Sequence, residues 1–123
     1  MTVNLAIVDS LIKQRIESAA RGAADYLREA LSQEGSGIQH PGLPNRSSTI
    51  DEYAAAQSAR LAASITAQPS PGLTAQVGAL DNPPPEALKL IITPPSQGGR
   101  DWLTKAFHDP LLHQAALDNV GKS

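Results

Sequence analysis

Apolar residues recur through the first quarter of this chain at helical spacing. Leu5, Val8, Ile12, Ile16, Ala19, Ala23, Leu27 and Ala30 follow one another at intervals of three and four residues. Those intervals predict one long helix over residues 2–33. Ile7, Leu11, Tyr26 and Leu31 widen its apolar face. The opposite face carries Asp9, Lys13, Glu17, Arg21 and Asp25, four residues apart and alternating in sign. Each such pair stabilises a helix by only a few tenths of a kcal/mol, but the ladder marks a solvated side. Gly35 is the expected stop, since glycine readily ends a helix.

Such a helix is about 45 Å long at about 1.5 Å per residue. That exceeds what the core of one small domain needs, and the chain has only 123 residues. A coiled coil is the bland explanation, but the stripe does not continue past Gly35. Gly22 lies among Ala19, Ala20, Ala23 and Ala24. Glycine in a helix interior costs about 1 kcal/mol relative to alanine. Its presence is either simple tolerance or a site where another helix, of this chain or of another subunit, comes close.

Residues 35–48 read GSGIQHPGLPNRSS, with three glycines and two prolines, and form a loop. Its length makes it either functional or disordered. Ile38 and Leu43 give it apolar points with which to dock on a neighbour. A second helix is expected over residues 48–63, opened by the Ser48/Asp51 capping spacing and patterned by Tyr53, Ala54, Gln57, Leu61 and Ala62. A strand over 64–68, a turn over 69–72 and a returning strand over 73–80 make an antiparallel hairpin, with Leu73, Ala75 and Val77 on its inner face. Pro85 opens a short helix through Ile92, with Leu88, Ile91 and Ile92 as its buried side. Residues 100–107 are short and apolar, strand or helix. Asp109 as N-cap and Pro110 as first residue start a last helix with the stripe Leu111, Leu112, Ala115, Ala116 and Val120. Residues 121–123 are expected to fray. The class is therefore α+β: a single domain made of a long helix (1–34), an extended loop (35–48), an α+β body (49–120) and a short tail.

Chemistry is sparse. No cysteine is present, which removes disulfides, thiolate catalysis and cysteine-ligated zinc. The three histidines are His40, His108 and His113. The last two are spaced poorly for one helical face, so no metal site is expected. Asp51 and Glu52 are adjacent acids suited to a helix's first turn rather than to acid–base work. Residues 98–100, Gly-Gly-Arg, read as a loop turn in preference to an anion nest. No nucleophile-elbow, zincin, phosphate-loop or dinucleotide motif occurs. An enzyme is not expected, nor is a cofactor. A net charge of −2 argues against a domain held on nucleic acid by a basic patch. No apolar run approaches the ~20 residues of a membrane-spanning helix, and the first residues lack the pattern of a signal peptide.

Two stretches and one block carry a family likeness. The stretches are Ser36-Gly-Ile-Gln-His-Pro-Gly-Leu-Pro-Asn-Arg-Ser-Ser48 and Tyr53-Ala-Ala-Ala-Gln-Ser-Ala-Arg-Leu-Ala-Ala-Ser-Ile65. The block is Gly99-Arg100-Asp101-Trp102-Leu103-Thr-Lys-Ala106. Together they resemble the neck, or tail-completion, proteins of long-tailed double-stranded DNA bacteriophages. Departures from that pattern are Ala59 in place of a glycine, Asp101 in place of a proline, and Leu88-Lys-Leu-Ile-Ile-Thr93 in place of an aromatic and Glu-Phe-Gly segment. The resemblance implies a structural virion protein that joins the head connector to the tail as a ring around the DNA channel. It implies partners: copies of itself, six favoured over twelve, with head-completion or adaptor proteins on one side and tail-terminator or tail-tube proteins on the other. DNA would cross the lumen without sequence-specific binding. The protein would reside in the virion, and in the host cytoplasm during assembly. Ile38, Leu43, Arg60, Arg100 and Trp102 are the interface candidates. The plainer reading, which is favoured, makes each arginine a surface salt bridge and Trp102 a core residue instead of an anchor. The rival reading is a small cytosolic binding module acting through its amphipathic first helix.

Overall fold

The computed structural model describes residues 5–33, 35–37, 41, 52–53, 60–94, 96 and 99–120, with side chains described from residue 10 onward. The fold is α+β. Seven elements follow in the order α1 (Leu5–Ala30), α2 (Arg60–Ser64), β1 (Ile65–Ser70), β2 (Thr74–Ala79), α3 (Pro85–Ile92), α4 (Trp102–Phe107) and α5 (Pro110–Val120). The expected tail, residues 121–123, lies outside the described residues.

α1 is the spine. It has 26 residues, so it spans about 39 Å at about 1.5 Å per residue. α5, β1, β2 and α2 all pack on it. Its second half supplies Ala23, Ala24, Leu27 and Leu31 to the core. Leu11 and Ile12, earlier on the same stripe, remain exposed. The amide of Ser32 turns inward to the carbonyl of Glu29 at 3.0 Å, a tightened last turn that ends the helix ahead of Gly35.

The core is completed by Leu61 and Ala62 of α2, Ile65 of β1, Ala87 of α3, Trp102 and Ala106 of α4 and Leu112 of α5. Among the described residues, six of the buried apolar side chains are alanines, so elements sit close and the few large side chains matter disproportionately. Where α1 crosses α5 the approach is close. A Cβ added to Gly22 would lie 2.7 Å from the Ala115 carbonyl oxygen. Asn119 Nδ2 donates to the Ser18 carbonyl at 2.6 Å across the same crossing. Gly22 is therefore the site of a close helix approach, and the helix belongs to the same chain. At the other end of α1, Arg28 donates to the Ile65 carbonyl from Nη2 at 2.7 Å and from Nε at 3.2 Å. That fork ties α1 to the start of the hairpin.

The hairpin forms, with register Ile65↔Ala79 to Ser70↔Thr74 around the turn at residues 71–73. Its turn lies later than expected. Pro69 pairs with Ala75 inside the ladder. In a two-stranded ribbon each strand keeps an unpaired edge, where a missing N–H costs nothing. Leu73 thereby falls in the turn and is exposed, not on the inner face.

Three further expectations are corrected. The helix expected over 48–63 is not continuous: Glu52 and Tyr53 are not helical, and the described helix is Arg60–Ser64. Glu52 instead accepts from Ser36, and Tyr53 reaches Asp109, contacts that an unbroken helix would not have to satisfy. α3 has the expected bounds but turns a different face inward. Ala87 is buried with Leu90 and Ile91 against the core, whereas Leu88 and Ile92 are 63% and 69% exposed. The cause is the return of the chain over that face: the Trp102 indole donates to the Ala87 carbonyl, and the Arg100 amide to the Leu90 carbonyl. On α5, Leu112 is buried but Leu111 is exposed. The α1 crossing engages Ala115 and Asn119, on Leu112's side of the helix.

Of residues 100–107, Trp102–Phe107 form a helix. The Asp101 carboxylate accepts from the Thr104 amide at 3.0 Å and from its hydroxyl at 2.8 Å, an N-cap made twice over. Ahead of it, the Gly99 amide donates to the Pro94 carbonyl at 3.1 Å. A Cβ on Gly99 would run into the Thr93 carbonyl, so only glycine closes this loop. No described helix is long and apolar enough to cross a membrane.

Candidate interaction surface

The five interface candidates are scattered. Ile38 and Leu43 lie outside the described residues, as does most of the loop that holds them. Arg60 opens α2 with its side chain 69% exposed and forms an ion pair to Glu86 at 3.4 Å. Such an exposed pair contributes about 0–1 kcal/mol. Arg100 is half-buried, and its Nη1 folds back onto the Gly99 carbonyl at 2.6 Å. Trp102 is 3% exposed, with its indole N–H 3.0 Å from the Ala87 carbonyl. It is a core residue of the chain itself.

The apolar surface lies elsewhere. α1, β2, α4 and α5 enclose an open groove of about 560 Å³ lined by Ala23, Leu27, Val77, Leu103, Ala106, Phe107 and Leu112. Phe107 is 72% exposed on its rim, and Leu103 is 45% exposed. His108 stands edge-on to Phe107, and His113 Nε2–H donates to the Phe107 carbonyl at 2.8 Å. The two histidines are therefore groove-rim and helix-junction groups. Among the described residues no cluster of metal-ligating side chains occurs. Leu88 and Ile92 on α3, and Leu111 and Leu117 on α5, add separate exposed apolar points.

A polar constellation that joins distant elements centres on Asp109. Its Oδ2 accepts from the Tyr53 hydroxyl at 2.7 Å and from the Tyr26 hydroxyl at 3.1 Å. Its Oδ1 accepts from the Leu111 amide at 2.9 Å, the N-cap expected from the Asp-Pro pair. Lys105 Nζ sits 4.9 Å from the centre of the Tyr53 ring, a cation–π distance. Burial alone would raise the Asp109 pKa, but the bonds from Tyr53, Leu111, Tyr26 and Leu112 outweigh it and hold the carboxyl below its ordinary value. Burial first, and then the carboxylate they bond, push both tyrosines above theirs. Sequence reasoning missed this cluster. Asp109 was recognisable as a cap, but nothing local says that two tyrosines, 83 and 56 residues away, share its other oxygen.

The signs set a stability window. A lowered carboxyl contributes fully above about pH 4 and is lost as pH falls through its folded value; raised phenols contribute fully below about pH 10 and are lost as pH rises towards theirs. The melting temperature is therefore expected to fall at both extremes. Tyr53→Phe is expected to flatten the alkaline fall, measured by circular dichroism melts from pH 3 to 11. An alkaline limb unchanged by the substitution would remove Tyr53 from the account.

Comparison with protein-family models, curated proteins and solved structures finds no match to this chain.

Proposed function

We propose that the chain is a structural protein of the neck of a long-tailed bacteriophage, joining the head connector to the tail as a ring of copies around the DNA channel. The observation that carries this reading is the block Gly99 to Ala106. It resembles the neck family in sequence, and its residues have definite structural duties. Gly99 admits the Thr93 carbonyl, Asp101 caps α4, and Trp102 and Ala106 enter the core. The exposed apolar points add support. Leu103 and Phe107 stand exposed beside one groove, and Leu88, Ile92, Leu111 and Leu117 are further exposed apolar side chains. A ring and its neighbours above and below would cover them. A mildly acidic subunit suits a lumen that DNA must traverse without being held. In this reading six copies match a tail and twelve a portal, and six is favoured. The flanking proteins are head-completion or adaptor proteins and tail-terminator or tail-tube proteins. The protein is part of the virion neck and passes through the host cytoplasm during assembly.

A second reading has Leu11 and Ile12 in its favour. These exposed residues on α1 suit a binding module that lays this helix into a partner's groove. Electron microscopy of a lysate made without this protein separates the two. DNA-filled heads beside separate tails of normal length, with infectivity restored by the purified chain, are expected. Intact infectious particles would overturn the neck reading and leave the binding module.

A further inference from the structure

The two edges of the β1–β2 ribbon are unlike. Bonded and non-bonded pairs alternate along an antiparallel ladder. Pro69, which has no N–H to give, pairs with Ala75 as a non-bonded pair, and so do Ala67 with Val77 and Ile65 with Ala79. The backbone N–H and C=O groups of these residues therefore point away from the ribbon. On β1 that outward row is blunted. Pro69 offers no donor, and the Ile65 carbonyl is taken by the Arg28 fork at 2.7 and 3.2 Å. On β2 the row is intact. Among the described residues no hydrogen bond reaches the outward groups of Ala75, Val77 and Ala79. Nor does Thr74–Ala79 contain a proline or a charged side chain, the usual guards of an open edge. The apolar groove lies beside this edge. Val77, the middle residue of the outward row, lines it together with Leu103 and Phe107 of α4 and Leu112 of α5.

We infer that the β2 edge and this groove form one docking site for an extended strand of a partner protein, apolar at alternate positions. A row of backbone donors and acceptors, repeated every second residue, is met by another extended backbone. Side chains of the added strand alternate between its faces, so those directed as Val77 is come over the groove. No lysine, arginine, aspartate or glutamate is among the described residues that line it, so the side chains that enter it are apolar. Main-chain bonds hold the strand, and the groove selects its alternate residues. Head-to-tail pairing of β2 on the β1 edge of a second copy is closed off, because Pro69 and the Arg28 fork blunt that edge. The site follows from the fold and does not depend on the neck reading.

Amide-resolved hydrogen exchange by NMR on the whole chain tests it. The probe is a short end-blocked peptide of alternating valine and threonine with a lysine at each end. In the free chain the amides of Ala75, Val77 and Ala79 are expected to exchange faster than the ladder-bonded amides of Gln76 and Gly78. With the peptide at about ten times its dissociation constant, those three amides are expected to slow by about tenfold. Phe107→Ala, at a side chain 72% exposed, is expected to leave the melting temperature unchanged and weaken the peptide by about threefold or more. A smaller change would overturn the proposal, because the strand would not then lie on the groove. So would slow exchange of the three amides in the free chain at every concentration, or no protection of them by millimolar peptide. Protection that rises with the concentration of the chain alone would also overturn it, and would make a second copy, paired β2 to β2, the occupant of the edge.

Discussion

Trp102→Ala is expected to lower the stability of the folded chain by about 3–5 kcal/mol, the range for truncating a buried aromatic. The whole domain is held by roughly 0.05–0.15 kcal/mol per residue, so one substitution removes a large share. In a melt this is a fall of about 10–20 °C. The reason lies in the composition of the core. Trp102 is the chain's one tryptophan, and half of the described buried apolar residues are alanines. Alanines offer nothing that can move into the space left behind. Trp102 also closes α4 onto α3 through the indole bond to Ala87. Trp102→Phe separates the two contributions: it retains most of the apolar area and loses the bond, and about 0.5–1.5 kcal/mol of the loss is expected to remain from the bond alone. Thermal denaturation checks both. A shift under about 3 °C for Trp102→Ala would mean that the indole is not built into the core.

The same burial bears on assembly. An anchor residue has to present its ring to a partner, and Trp102 presents 3% of itself. If a neighbour docks near α4, the side chains that meet it are Phe107 and Leu103. Both were visible in the sequence as part of a short apolar run, but which members of that run face outward depends on what α3 covers.

This dependence explains how much of the fold was legible in advance. Elements with local signals were readable. The stripe of α1, proline at the start of α3 and the Asp109-Pro110 opening of α5 all lie within a few residues of what they specify. Features set by distant parts of the chain were not. Leu88 and Ile92 are as apolar as Ile91, and only the return of residues 100–102 over Ala87 and Leu90 decides which side is dry. Pro69 reads as a turn residue until the ribbon is known to have an open edge there. The expected second helix extended a pattern through Tyr53, whose hydroxyl is engaged across 56 residues instead. Of the candidate surface, the sequence offered the arginines and Trp102 by analogy. The groove emerges only when α1, β2, α4 and α5 are placed together.

Gly22 is the position where local preference and tertiary packing make opposite predictions, and the sign of one substitution decides between them. In an isolated helix Gly→Ala stabilises by about 1 kcal/mol. Here the new Cβ would sit 2.7 Å from the Ala115 carbonyl oxygen and 2.7 Å from Asn119 Cβ, both on α5. Neither yields cheaply. The carbonyl is backbone within a helix, and Asn119 is tied to the Ser18 carbonyl. Making room means moving α5 away from α1, which loosens the packing of Leu27 and Leu112 as well. Overpacking of this kind costs about 1–3 kcal/mol, enough to reverse the helical gain. Gly22→Ala is therefore expected to lower the melting temperature. Gly22→Leu is expected to lower it further, with a loss at or beyond the upper end of that ~1–3 kcal/mol range, because three more carbons must fit where one does not. A rise in melting temperature for Gly22→Ala would mean that helix propensity governs the site and that α1 and α5 stand farther apart. A fall that deepens from alanine to leucine would place the crossing at Gly22, and would make the alanines around it the reason that so small a core holds two helices together.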